Sequence, residues 1–220
     1  MLYSDLSKLA CVQHGKRNES TVIAQYEQRE SATVEAKGTY VCMEPGYGFL
    51  AASPDGYVTF TDGRAPRLIE VKSFSDGRTI LKATTVKELA QERKQFCCKF
   101  EQDGCLLRLN PKSDYYYQVV GQMAISGVQL CDLALSYKGD LEVLTVTWGK
   151  QQQADWEAMK KKLRTFYIRA FLPELLSERV KRGLPLFETA NISSILLPFL
   201  LSLKQKHSGE GNWSGRRRRD

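Results

Sequence analysis

The sequence is poor in the residues that bind zinc. It has two histidines, His14 and His207, and none of its six cysteines forms a CxxC pair. We therefore expect no zinc site built from cysteine and histidine ligands. No serine or cysteine stands in a pattern with histidine that predicts a covalent nucleophile. The adjacent Cys97 and Cys98, and the lack of a signal-peptide pattern, indicate a reducing compartment inside the cell.

Long apolar runs are also absent. The best candidate, residues 195–203, is short and is interrupted by Pro198, whereas a bilayer span needs about 20 apolar residues. We expect a protein without a transmembrane segment. The run Arg216 to Arg219 indicates a nuclear address or a non-specific DNA-binding arm.

What the chain does have is enough length for a sizeable core and a modest excess of positive charge. Its 220 residues are most simply one domain. The formal net charge is +7, of which the four arginines and one aspartate at 216–220 supply +3. A mildly basic body suits a polyanionic ligand such as DNA, although an ordinary basic protein has the same charge.

The stretch from Phe49 to Phe74 predicts a β-hairpin that gathers ionisable side chains. Asp55 lies in the turn sequence SPDG, and Glu70 and Lys72 lie in the strand sequence LIEVK. Alternation along the strand puts Glu70 and Lys72 on one face. If the hairpin closes through residues 61–63, Asp55 lies beside Glu70. Two carboxylates with a lysine favour a Mg²⁺ site that has a general base attached, which is chemistry for cutting phosphodiesters.

Hydrophobic periodicity predicts the other elements. We expect helices over residues 15–31, 79–95, 111–127 and about 154–181. Strands are expected near residues 40, 50, 58, 70, 134 and 145, and a short hairpin within residues 96–109. This order predicts an α/β domain with a central mixed sheet flanked by helices.

Particular polar residues stand out on these helices. Glu19 lies near the edge of the buried face of its helix, where an acid can also simply favour the helix dipole. Gln118 and Gln122 are four residues apart and share one face. Pro173 is expected to kink or end the last helix. Opposite the apolar stripe of that helix, a basic face is expected to be solvated or to run along DNA; it comprises Lys160, Lys161, Lys162 and Arg164.

Four short elements together resemble the PD-(D/E)xK nuclease superfamily, and within it the YqaJ-type viral recombinase group that includes the phage lambda-type alkaline exonucleases. In chain order they are HGKxxE at 14–19, SPDG at 53–56, IEVK at 69–72, and YYYQ at 115–118 followed by GQM at 121–123. Each alone is a common turn or strand pattern, but all four in this order are specific. The resemblance covers roughly residues 12–176 and implies a restriction-endonuclease-like fold.

The resemblance also implies a metal site. Asp55 and Glu70 would bind the metal together with the main-chain carbonyl of Val71, and Glu19 would touch the metal cluster and support a second ion. The implied cofactor is Mg²⁺, with Mn²⁺ as a substitute, and two ions are expected.

By the same resemblance, Lys72 would hold the attacking water. Gln118 would orient that water or an oxygen of the scissile phosphate, with Tyr117 as the adjacent candidate. The implied activity is exonucleolytic hydrolysis of linear double-stranded DNA in recombination, repair or mobile-element processing. A homo-oligomer or a recombinase partner is a further expectation.

An alternative is a weakly active or inactive DNA-binding module derived from a viral or transposon nuclease. Related exonucleases carry an arginine and a small hydroxyl residue, ahead of the first glutamate, that hold a 5′ phosphate. No such motif is visible in the 18 residues before Glu19. We expect a nuclease domain over residues 1–182, a helical extension over 183–206 and a disordered basic tail over 207–220.

Overall fold

The fold is built on a five-stranded mixed β-sheet. The structure, a computed structural model, describes residue 3 and residues 5–76, 81–100 and 107–186. Within these residues there are nine strands: β1 Ala32–Glu35, β2 Tyr40–Val41, β3 Ala51–Ala52, β4 Gly56–Phe60, β5 Arg67–Phe74, β6 Cys98–Phe100, β7 Leu107–Leu109, β8 Leu130–Tyr137 and β9 Asp140–Thr147. The main sheet has the order β1-β4-β5-β8-β9, in which β5 and β8 are parallel and the other pairs antiparallel.

Helices cover both faces of this sheet. They are α1 Ala10–Glu30, α2 Val86–Glu92, α3 Asp114–Ser126, α4 Lys150–Phe166, a π-helical segment Tyr167–Phe171, α5 Leu172–Ser177 and a 3₁₀ turn Val180–Arg182. None of the described helices combines the length and the apolar character that a membrane span requires. The predicted α/β architecture, a mixed sheet flanked by helices, is confirmed.

The central strand β5 is buried on both sides between residues 68 and 71. On one face, Ile69 and Val71 pack with Val22 and Tyr26 of α1. On the other face, Leu68 joins a larger core formed by α2, α3, the β6–β7 hairpin and Trp156 of α4. Glu70 and Lys72 therefore extend from the face opposite α1, as the alternation predicts.

Helix α3 has the start and stop signals that its sequence predicts. The Ser113 side chain accepts a hydrogen bond from the Tyr116 N–H at its first turn, and Gly127 ends it in the left-handed conformation, with φ of 77°. These two signals set the ends of α3. Its apolar residues Val119, Val120 and Met123 pack into the core, and Gln118 and Gln122 reach Glu70 of β5.

Three elements in the first half of the chain differ from the prediction. Helix α1 begins at Ala10 rather than residue 15. The edge strand Ala32–Glu35 was not predicted, because it is only four residues long and exists through pairing with β4. The helix expected over 79–95 is shortened to Val86–Glu92, since a Thr85–Glu88 capping box sets its start. Residues 77–80 lie outside the described part.

The single helix expected over 154–181 is three consecutive segments. It begins earlier, at Lys150, and it widens to π-helical bonding at Tyr167–Phe171, where the Leu172 N–H donates to the Tyr167 carbonyl. Pro173 follows directly in the first turn of α5 and has no N–H to donate. The expected distortion at Pro173 is thus present as a π segment. The predictions for residues 187–220 fall outside the described residues.

The prediction of an exposed basic face on the last helix is partly wrong. Lys160 is only 4% exposed. Its ammonium is paired with Glu44 and Glu157 and lies over the rings of Tyr47 and Trp156. The error has a physical cause: a turn from a distant part of the chain covers this position, which the periodicity of the helix cannot indicate.

Candidate active site

Asp55 lies at the open edge of the central strand. Residue Gly56 is the first of β4 and faces Ile69 of β5, so Glu70, Val71 and Lys72 extend past the end of β4. The Asp55 N–H donates to the Ile69 carbonyl at 3.1 Å, and its carboxylate accepts from the Val71 N–H at 2.7 Å. The prediction that Asp55 lies beside Glu70 is confirmed.

Gly56 makes this approach possible. A Cβ at Gly56 would overlap the side chain of Val34 on β1 and press on Ile69 of β5. Because glycine has no Cβ, the strand can pass between these two side chains and hold Asp55 against Val71. The glycine of the SPDG motif is therefore needed for packing beside the site.

Glu70 is the centre of a buried polar cluster. It is 2% exposed. One carboxylate oxygen accepts from the Lys72 ammonium and from the Gln118 amide at 2.5 Å, and the other accepts from the Gln122 amide at 2.6 Å. Both glutamines reach Glu70 because they are one helical turn apart on α3. The expected shared face of the two glutamines is confirmed.

Gln122 was not predicted as a site residue, although it contacts Glu70 as directly as Gln118 does. It is 3% exposed, and its carbonyl oxygen has no hydrogen-bond partner within the described part of the chain. The i,i+4 spacing with Gln118 was the signal that could have identified it. A buried amide with one unsatisfied oxygen is costly, which indicates a constrained position.

Tyr115, the first of the three consecutive tyrosines, is the one that contacts Lys72. The ammonium lies 5.0 Å from the centre of its ring. Burial, with smaller contributions from nearby charges, raises the pKa of the Tyr115 hydroxyl. Tyr116 instead donates to Asp155 at 2.7 Å, and Tyr117 is 38% exposed. Tyr117, the adjacent candidate from the sequence, packs against Tyr116 with the two rings nearly perpendicular and their centroids 5.6 Å apart.

The electrostatics of Asp55 link the three predicted acids. Burial raises the pKa of Asp55 to about 6, and the negative charges of Glu70 and, more weakly, Glu19 act in the same direction. The Val71 hydrogen bond and the Lys72 charge oppose this effect without cancelling it. The half-buried Glu19 on α1 therefore lies within electrostatic reach of Asp55. The site carries more negative charge than its own lysine neutralises.

The residues that could hold a metal ion here are Asp55, Glu70 and the main chain of Val71. Within the described residues, no group of three or more histidine, cysteine, aspartate and glutamate side chains is placed to hold a metal. Two carboxylates and a carbonyl are hard oxygen donors, and Mg²⁺ commonly uses one or two carboxylates while keeping several waters. The excess negative charge around Asp55 is consistent with such a cation.

A second buried carboxylate, Asp132 on β8, lies on the α1 face of the sheet and was not predicted. It accepts hydrogen bonds from Tyr26 at 2.6 Å, from Thr145 at 2.6 Å and from the Arg67 guanidinium at 3.2 Å. Because donors from α1, β5 and β9 surround it, its charge is fully compensated. Asp132 therefore links β8 to α1, β5 and β9 through hydrogen bonds, and it does not face the Glu70 cluster.

Comparison with solved structures finds the alkaline exonuclease LHK-Exo from Laribacter hongkongensis. It is 22% identical over 79% of this chain and 74% of that chain, with a TM-score of 0.49. The same enzyme in complex with dAMP matches with the same identity and TM-score over 73% of its chain. No curated protein matches the sequence.

The family comparison covers more than half of the chain. The model of the YqaJ-like viral recombinase domain matches residues 4–129. This range includes α1, the Asp55–Lys72 hairpin and α3, which together supply all of the predicted site residues. The chain therefore belongs to the YqaJ-like viral recombinase domain family.

Proposed function

We propose that this protein is a Mg²⁺-dependent deoxyribonuclease that degrades linear double-stranded DNA from its ends, in recombination, repair or mobile-element processing. One observation carries the proposal. Asp55, Glu70 and Lys72, which are separated in sequence by a turn and a strand, converge at an open strand edge in a member of this family. The proposal that the protein acts from a DNA end, and is not only a nuclease, is supported by its membership in this family.

The roles proposed for these residues are those that the family resemblance implies, and the positions of the side chains support them. Asp55, Glu70 and the Val71 carbonyl would hold the metal, and Glu19 would support a second ion. A bound Mg²⁺ neutralises phosphate charge and acidifies water. Mn²⁺ offers the same donor preference and is expected to substitute.

The protein's own groups then position the nucleophile and the phosphate. The Lys72 ammonium is held between the Glu70 carboxylate and the Tyr115 ring, so it can hold a water at this edge without swinging freely. Gln118 donates to Glu70 from helix α3 and can turn its amide toward a water or a phosphate oxygen. Both groups act by position, which suits phosphodiester hydrolysis without a covalent intermediate.

The cleavage test uses end-labelled linear duplex with and without Mg²⁺. We expect degradation that stops in EDTA and is restored by Mg²⁺ or Mn²⁺. Lys72→Ala is expected to lower the rate roughly 10²–10⁴-fold. Lys87→Ala is the matched control, because Lys87 is an exposed lysine of α2 that pairs with Glu142 away from the cluster. A covalently closed circular substrate separates exonuclease from endonuclease activity.

Two results would contradict this assignment. Intact linear DNA after incubation with folded wild-type protein at saturating Mg²⁺ or Mn²⁺ and alkaline pH excludes the nuclease. Undiminished cleavage by Lys72→Ala excludes the assigned site while leaving a nuclease in place.

A DNA-binding module without turnover is the second candidate. The observation in its favour is that both oxygens of Glu70 already accept hydrogen bonds from protein groups: two bonds reach one oxygen and one bond reaches the other. These bonds leave little of the Glu70 carboxylate for a metal ion, since a carboxylate has about four lone-pair positions. This candidate predicts salt-sensitive DNA binding with no cleavage under any metal condition. Deletion of Arg216 to Arg219 is expected to weaken that binding.

A nuclear location, a homo-oligomer and a recombinase partner stay predictions.

A further inference from the structure

A basic depression lies outside the Glu70 cluster, along the last long helix. It has a volume of about 320 Å³ and is lined by Tyr47, Lys161, Arg164, Thr165, Ile168 and Arg169. Three of these six residues are cationic, and no carboxylate is among them. A concave surface with this lining favours an anionic ligand.

One side of the depression is a single helical face. Lys161, Arg164 and Thr165 follow the i, i+3, i+4 spacing on α4, and Ile168 continues that face into the π segment. Lys161 and Arg164 form no ion pair with another described residue, in contrast to the neighbouring Lys160. Their charges are therefore available to a ligand.

The other side is the turn that carries Tyr47, and it is attached firmly to the helix. The Tyr47 N–H donates to the Glu44 carbonyl at 3.0 Å, and Glu44 in turn accepts from the buried Lys160. Two residues later, the ring of Phe49 stacks on Tyr167 with 4.1 Å between ring centroids. The two sides are thus preorganised relative to each other, which lowers the entropic cost of binding.

The turn also connects the depression to the proposed cutting centre. The chain runs from Phe49 through β3 and reaches Asp55 six residues later. Strand β3 pairs with β2, and this small sheet contacts α3, the helix that carries Gln118 and Gln122. A ligand in the depression therefore lies on the same face of the main sheet as the Glu70 cluster.

We propose that this depression binds the sugar–phosphate backbone of the DNA substrate outside the cutting centre. The inference rests on the proposed nuclease function. Lys161 and Arg164 are separated by about 4.5 Å along the helix axis, and each DNA strand carries one charge per roughly 3.4 Å of its axis. Two cations at this spacing suit phosphates of one strand, and the Tyr47 ring supplies a surface against a sugar or base.

The test measures DNA affinity in EDTA, so that cleavage plays no part. A 30-base-pair duplex is titrated at several salt concentrations against wild type and the double variant Lys161→Ala/Arg164→Ala. We expect binding on the order of tenfold weaker or more at 0.1 M salt. The slope of log affinity against log salt should become shallower by about 1.8, since two phosphate contacts are lost.

The matched control is Lys150→Ala/Lys162→Ala, which removes the same charge from the same helix at exposed positions outside the depression. A variant with the charges kept, Lys161→Arg/Arg164→Lys, should bind as the wild type does. Thermal unfolding of each variant reports folding. If the alanine double variant does not fold, the single Arg164→Ala variant takes its place, with half the expected change in slope.

The outcomes distinguish this inference from the nuclease proposal. Equal affinity and slope for the Lys161/Arg164 and Lys150/Lys162 variants would overturn the phosphate site, whether or not the protein cuts DNA. If the Lys161/Arg164 variant binds DNA weakly and the Lys150/Lys162 variant does not, the phosphate site is supported even when no cleavage occurs. Competition by polyglutamate or anionic vesicles as effective as competition by DNA, at equal charge concentration, would overturn the assignment to nucleic acid.

Discussion

Replacing Asp55 by asparagine should make the metal-free protein more stable at neutral pH. Asp55 is partly buried, and its charge is opposed by Glu70 and Glu19, so its pKa is raised from 3.8 to about 6. Asparagine removes the charge and keeps an oxygen that can accept from the Val71 N–H. The variant is expected to lose cleavage and gain stability, which is the trade-off typical of functional sites.

The sign and size of this effect follow from linkage. The folded protein holds the Asp55 proton more tightly than the unfolded chain, so folding becomes less favourable as pH rises from 3.8 to 6. The full cost applies above about pH 7, about half a unit of pH or more past the folded pKa, and it has vanished below about pH 3. A pKa raised from 3.8 to about 6 corresponds to roughly 3 kcal/mol of unfolding free energy. Solvent screening of the exposed part of the side chain lowers the expected gain to roughly 1–2 kcal/mol.

Urea unfolding in EDTA at pH 4 and pH 7.5 measures this difference. The Asp55→Asn variant should have a larger free energy of unfolding than wild type at pH 7.5, and most of this difference should be gone at pH 4. Asp62→Asn is the control, because Asp62 is exposed and hydrogen bonds from Arg64 lower its pKa, so its neutralisation should not stabilise the protein.

Magnesium should reverse the order of stabilities. At a concentration one hundred times its dissociation constant, Mg²⁺ would stabilise wild type by about 2.7 kcal/mol and leave the asparagine variant nearly unchanged. Two results would refute the reasoning. The asparagine variant could be less stable than wild type at pH 7.5 without metal, or its stability could differ from that of wild type by the same amount at both pH values.

Two further substitutions test the clusters on the two faces of the sheet. Asp132→Ala leaves the Arg67 guanidinium without its buried partner and should cost roughly 3–5 kcal/mol in urea unfolding; a loss below about 1 kcal/mol would show that Arg67 reaches solvent instead. Gln118→Ala leaves Glu70 bonded to Lys72 and Gln122, so the fold should persist while cleavage falls roughly 10²-fold. Cleavage at the wild-type rate in that variant would remove Gln118 from the site.

Features that depend on neighbours in sequence were predictable. The closing turn of the Asp55–Lys72 hairpin, the alternation of Glu70 and Lys72, and the one-turn spacing of Gln118 and Gln122 all follow from local geometry. These short-range relations were enough to predict that Asp55, Glu70 and Lys72 converge, and the order of the predicted helices and strands indicated the α/β class. Their catalytic roles stay predictions that the cleavage assay addresses.

Features that depend on distant segments were not predictable in the same way. The sequence does not state that β5 pairs in parallel with β8, a contact that brings residues more than 60 positions apart into register. The same holds for the choice of Tyr115 over Tyr117 beside Lys72.

By itself, the sequence determined the hairpin, the polar face of its second strand and the glutamine face of α3, because backbone geometry fixes such spacings within one element. Only the tertiary structure decided which charges are buried and paired. Lys160 and Lys161 are adjacent on one helix, yet a turn from residues 44–49 covers the first and leaves the second open to a ligand. Burial is set by what packs against a residue, and that partner comes from elsewhere in the chain.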